Sequence, residues 1–260
     1  MNSIFAPSSL SCLPSLYNNP SPNKHTSNFS FVNHRVSSLS IKSTFIAPKS
    51  TNCAAIPSDG TVSVINFEEF VEKDWSFLDV DDVNSDKVYK QNIDRIISAG
   101  KVGEDSKVLI STGSEGFVDQ VVDTCSYKQL LVVHDSLFVL ACIKEKYDKV
   151  KCWQGELIFV PEKWVPFDVV FLYFLPSLPY ELDRVFGALS KICSPGARIV
   201  ISHPKGREML EQQKAEYPDV VVSDLPDKLK LESVASHQSF TVVDFVDQPG
   251  FYLAVLEHTK

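Results

Sequence analysis

Short apolar runs alternate with helical patterns along most of this 260-residue chain, and the alternation ends in two strands with almost no chain between them. Residues 86–99 set Val88, Ile93, Ile96 and Ile97 on one side of a helix that closes at Gly100. There follow a strand at 107–110, a glycine-containing turn, a helix at 117–125, a strand at 130–133, a helix at 138–147 and a short strand at 150–153. The pattern continues with an apolar strand at 168–174, a helix at 180–192, a turn at Pro195-Gly196 and a strand at 198–202. Strand–helix units this short imply a parallel sheet, and runs this apolar imply strands covered on both faces. After a polar helix at 208–216 and a link rich in Pro and Asp, strands at 240–246 and 251–257 flank the turn Asp247-Gln248-Pro249-Gly250 and must be antiparallel.

The first fifty-odd residues use a different alphabet. Ser, Thr, Asn and Pro abound, the charges are Lys24, Arg35, Lys42 and Lys49, and the first acid is Asp59. Ser-rich, acid-free composition without a compact apolar stretch predicts a chloroplast transit peptide over 1–54, with Asn52-Cys53-Ala54-Ala55 as its stromal processing site. An N-terminal extension then occupies 55–84, ahead of the domain at 85–260. Loss of the four leader cations lowers the formal charge from −8 by four, to −12. An acidic body without a basic run speaks against nucleic acid as a partner. No stretch approaches the roughly 20 apolar residues of a membrane-spanning helix. Cys125, Cys142, Cys152 and Cys193 are scattered without metal-ligand spacing, which reads as small apolar residues in a reducing compartment.

Five local runs carry the functional signal. Residues 108–116 leave the first strand through Ser111, Thr112, Gly113, Ser114 and Gly116; the second strand ends in His134-Asp135; and Gln154-Gly155-Glu156 follows the third. Phe167-Asp168-Val169-Val170 opens the fourth strand, which ends at Tyr173, and 194–202 forms the turn and fifth strand. In this order they resemble the class I S-adenosylmethionine-dependent methyltransferases, in their small-molecule, quinone-methyltransferase-like branch, with the chain as a divergent plant plastid member.

The resemblance implies a three-layer Rossmann-like fold, α/β, with a mainly parallel sheet and a C-terminal antiparallel strand. It also implies a cofactor, S-adenosylmethionine, at the carboxyl ends of the strands. Gly113 and Gly116 would form the close-approach turn, while Ser111, Thr112 and Ser114 would hold the cofactor's amino-acid part. Asp135 would take the ribose, Gly155 and Glu156 would meet the adenine, and Tyr173 would face the pocket.

The chain departs from the family on the binding side. Ile110 stands where an acid is usual, Thr112 and Ser114 where glycine is usual, and His134 at the ribose carboxylate position in the tightest alignment, so that Asp135 serves only if it already lies beyond the strand. His203 is the candidate base, or a structural loop histidine. Phe174-Leu175-Pro176 is not the motif of amino-methylating relatives. Trp153, Trp164, Phe167, Tyr173 and Phe174 read as an acceptor pocket or as core, 219–227 as a lid or an edge strand, and the run at Asp79, Asp81 and Asp82 as a solvated loop.

Two functions follow: a stromal methyltransferase with a small-molecule acceptor, or a non-catalytic methyltransferase-like assembly or regulatory factor with a chloroplast protein partner. A nicotinamide oxidoreductase lacks its G-x-G-x-x-G spacing here.

Overall fold

Val108 and Ile110 lie on one side of the first strand and Leu109 on the other, and all three are fully buried, as a strand covered on both faces requires. The same alternation recurs along a seven-stranded sheet. Its strands are β1 (Lys107–Ser111), β2 (Gln129–His134), β3 (Lys151–Gln154), β4 (Phe167–Leu172), β5 (Cys193–His203), β6 (Phe240–Gln248) and β7 (Phe251–His258), in the order β3-β2-β1-β4-β5-β7-β6. β3 to β5 pair in parallel, and β7 runs antiparallel to both β5 and β6. The structure, a computed structural model, describes residues 73–78 and 87–259, all within the unit Val64–Lys260. The residues predicted as a transit peptide and processing site, and the acidic run at Asp79, lie outside the described residues.

Helices α1 (Lys87–Gly100), α2 (Glu115–Thr124) and α3 (Leu137–Lys146) bury Ile96, Val118 and Ile143 against one face of the sheet. Helices α4 (Leu182–Ile192), α5 (Gly206–Glu216) and α6 (Lys228–His237) bury Phe186, Leu210 and Leu231 against the other, completing three layers. Among the described residues no helix is long and apolar enough to cross a membrane.

Two local expectations change. The Pro195-Gly196 turn does not precede β5 but lies inside it, as a bulge between the pairs Phe167↔Cys193 and Val169↔Arg198, with Gly196 at φ +78°. The link before the hairpin contains α6, which starts where the Asp227 carboxylate accepts the Lys230 N–H at 2.8 Å. Leu229 and Leu231 alternate as a strand would, but Leu229 is exposed and only Leu231 and Ala235 of this helix enter the core, so its helical period is nearly silent in the sequence. Residues 219–227 form no edge strand. Val220, Val221 and Leu225 are buried, and the Val222 and Ser223 N–H groups both donate to the Pro176 carbonyl at 3.0 Å.

Phe171, fully buried on central strand β4 and edge-on to Phe117 at 5.5 Å, joins the sheet to the α1–α3 layer. Phe171→Ala is expected to lower stability by about 3–5 kcal/mol, read as a lower urea midpoint at unchanged slope.

Candidate functional site

Strand order fixes where a ligand can lie. The chain winds from β1 out to β2 and β3, then returns to place β4 on the other side of β1, so the loops leaving β1 and β4 diverge above the carboxyl edge. Backbone bonds knit the strand ends together there. The Thr112 N–H donates to the Val133 carbonyl at 3.0 Å, Tyr173 N–H to Ser111 at 3.3 Å, and Gly155 N–H to His134 at 3.1 Å.

A cleft opens over this edge, and Ser111, Thr112, His134, Asp135, Gly155 and Glu156 all line it. The other four residues marked for the cofactor lie elsewhere. Gly113 is needed for packing: a Cβ there would stand 2.5 Å from the Ile110 side chain, which fills the core on the α1–α3 face. Ser114 is the N-cap of α2, its hydroxyl accepting the Phe117 N–H at 3.1 Å. Gly116 lies in the first turn of α2 with open space around it, and Tyr173 lines a neighbouring hollow.

Thr112 holds an unusual backbone conformation at the end of β1. It sits at φ +55°, nearly buried, in a region that β-branched residues avoid at about 1–3 kcal/mol. Strain of that size persists only where surrounding contacts impose it, and here it lies in the floor of the cleft.

β2 ends at His134, so Asp135 is already beyond the strand and its carboxylate is free to line the cleft. The His134 ring is buried, and its Nδ1 accepts the Ser136 N–H at 2.9 Å, which places the proton of the neutral ring on Nε2. The 3.3 Å approach of Nδ1 to Asp135 is therefore not an ion pair. Burial pushes the Asp135 carboxyl up, and the Lys73 ammonium at 2.8 Å opposes that push.

Lys73 and Trp75 also line the cleft, from a segment that the sequence places outside the domain. The Trp75 ring meets the His134 ring edge-on at 4.5 Å, and Phe77 packs on Phe174 at 5.3 Å and on Tyr217 at 4.7 Å. The readable signal is Trp75, Phe77 and Leu78 standing close together among the acidic residues of 68–82. With this segment in place about 50 Å³ of free volume is left, room for a few waters and far below the several hundred cubic ångströms of a small-molecule pocket. Val133, Leu157 and, from the loop after β4, Ser177, Leu178 and Pro179 complete the lining, and the last three carry no sequence signal.

A second hollow, of about 20 Å³, lies over the ends of β4 and β5 between Tyr173, Phe174, His203 and Gln213. His203 Nε2 donates to the Gln213 side-chain oxygen at 3.0 Å, leaving the buried Nδ1 without a partner among the described residues. The Tyr89 and Tyr173 hydroxyls lie 3.1 Å apart beside it. Of the five aromatic candidates, Phe167, Tyr173 and Phe174 are core, with the last two reaching the hollow, while Trp153 and Trp164 pack on each other at 6.4 Å.

Sheet order and layering together match solved structures of one kind. This is the fold of S-adenosylmethionine-dependent methyltransferases. A Haloferax volcanii methyltransferase in complex with its activator superposes at a TM-score of 0.56 with 11% identity, over 66% of this chain and 91% of that one. An S-adenosylmethionine-dependent methyltransferase from Clostridium acetobutylicum gives 0.54 and 13%, over 71% and 98%. The N-methyltransferase NodS from Bradyrhizobium japonicum gives 0.52 and 10%, over 69% and 99%. No family profile and no curated protein matches the sequence. Identities this low carry the fold and nothing finer.

Within the methyltransferase fold, His203 is the titratable group with the clearest consequence for stability. Burial, with the Lys205 charge adding to it and the Gln213 hydrogen bond opposing it, lowers its pKa to about 4. The unfolded chain then binds a proton more tightly than the folded one. Stability is full above about pH 6.5 and declines as pH falls towards 4, by about 3 kcal/mol over that window. Urea midpoints at pH 4 to 7 should show this decline in the wild type and a flatter one in His203→Gln.

Proposed function

We propose that this chain is an S-adenosylmethionine-dependent methyltransferase of the chloroplast stroma acting on a small molecule. The observation that carries the reading is convergence: six residues drawn from three separate strand ends meet in one cleft at the switch point of a methyltransferase fold. Their chemistry suits the cofactor. The Asp135 carboxylate fits ribose hydroxyls, Glu156 after β3 fits the adenine amino group, and the Ser111 hydroxyl fits the amino-acid end. The stromal address rests on the leader composition, and a small acceptor on the quinone-methyltransferase-like runs.

When bound, the cofactor supplies an electrophilic methyl on sulfonium. The protein's part is then to hold an acceptor lone pair in line with that carbon, so that the new bond forms as the carbon–sulfur pair withdraws to sulfur. Any proton lost by the acceptor needs a base. Neutral His203, whose Nδ1 carries a lone pair while Nε2 is held by Gln213, is the candidate beside the second hollow.

A second reading, a non-catalytic assembly or regulatory factor, is favoured by Thr112 at φ +55° in the floor and Trp75 in the mouth of the cleft. Isothermal titration of the full chain separates the two. The enzyme reading predicts binding of S-adenosylmethionine, weakened about tenfold or more by Asp135→Asn, since hydrogen bonds to a charged group contribute about 1.5–3 kcal/mol. No heat at near-millimolar cofactor, together with a stable protein partner recovered from chloroplast extract, would give the site to the second reading.

A further inference from the structure

Lys73 and Trp75 line the cleft that the cofactor reading assigns to the adenosyl group. Trp75 is 5% exposed with its ring against His134, at the end of the strand whose loop carries the proposed ribose carboxylate. That carboxylate, on Asp135, is itself taken by Lys73 at 2.8 Å. Two residues on, Phe77 packs against Phe174 and, with Leu78, lines the hollow beside His203. One short segment therefore reaches both the cofactor cleft and the second hollow.

The fit is imperfect in a telling way. Among the described residues, Trp75 Nε1 and His134 Nε2, both proton-bearing and both buried, have no hydrogen-bond partner, and neither does the buried Asp135 Oδ1. Buried polar groups are normally satisfied, so three orphans around one cleft mark an arrangement that a ligand with donors and acceptors improves upon. The apolar contacts of Trp75 and Phe77 hold the segment down, while the Lys73–Asp135 pair, more than a third exposed on both sides, adds little.

We propose that residues 73–78 form a self-occluding strap, which fills the cofactor cleft and competes with S-adenosylmethionine for Asp135 and for the face of His134. The inference rests on the cofactor reading above. The strapped and open states are alternatives for one site, so apparent affinity is the intrinsic affinity reduced by the open fraction, and loosening the strap strengthens binding. Retraction of the segment opens the cleft and the hollow together, coupling cofactor entry to acceptor entry.

The test is titration of S-adenosylhomocysteine into the full chain, its Trp75→Ala variant and its Lys73→Ala variant, with far-ultraviolet circular dichroism confirming that each is folded. The strap predicts at least tenfold tighter binding for Trp75→Ala and a smaller gain, about twofold, for Lys73→Ala, whose pair with Asp135 is more than a third exposed on both sides. Equal or weaker binding in both variants overturns the strap, makes Trp75 a neutral neighbour or a direct cofactor contact, and leaves the methyltransferase reading standing. Absence of binding in all three overturns both at once.

Discussion

Reversal of strand order between β1 and β4 is the constraint on which the rest depends. Because β2 and β3 extend the sheet one way from β1 and β4 and β5 the other, the backbone leaving β1 turns away from the backbone leaving β4 and a crevice is left above their carboxyl ends. The candidate residues are ranged along that edge: Ser111 and Thr112 after β1, His134 and Asp135 after β2, Gly155 and Glu156 after β3, Tyr173 after β4 and His203 at the end of β5. Fold therefore determines place, while the particular side chains decide whether the place still holds a cofactor.

Those side chains pull in two directions. Asp135 and Glu156 keep acidic groups at the cleft, and the end of β2 at His134 lets the carboxylate reach it despite the one-residue offset from the usual position. Against them, Thr112 takes a left-handed conformation that glycine would adopt without strain, and the Ile110 side chain lies in the core. A Cβ at Gly113 would collide with Ile110, so packing alone requires glycine there. The strap adds a third element, a Trp and a Lys that neutralise the cleft's apolar and acidic features from within the same chain.

Much of this was legible from residue order. Alternation gave the strands, since Val108 to Ile110 and Val169 to Phe171 are apolar without interruption and both faces of the sheet are covered. The antiparallel pair was read from a turn too short to allow any other arrangement. α6 was hidden because two core residues cannot display a helical period, and the bulge in β5 because turn chemistry at Pro195-Gly196 does not say whether a strand stops there. Within the site, residues following a strand were found and those arriving from a distance were not. Trp75 and Lys73 precede the first helix, and only the folded chain shows that their partners are His134 and Asp135.

Hydrogen exchange at the amides of residues 73–78, followed by mass spectrometry with and without saturating S-adenosylhomocysteine, bears most directly on this picture of a cofactor cleft covered by its own chain. If cofactor and segment compete for one space, exchange in 73–78 rises on addition of the ligand while the amides of Ser111, Thr112 and Asp135 become slower to exchange. Ligand binding that leaves 73–78 unchanged or better protected would contradict it.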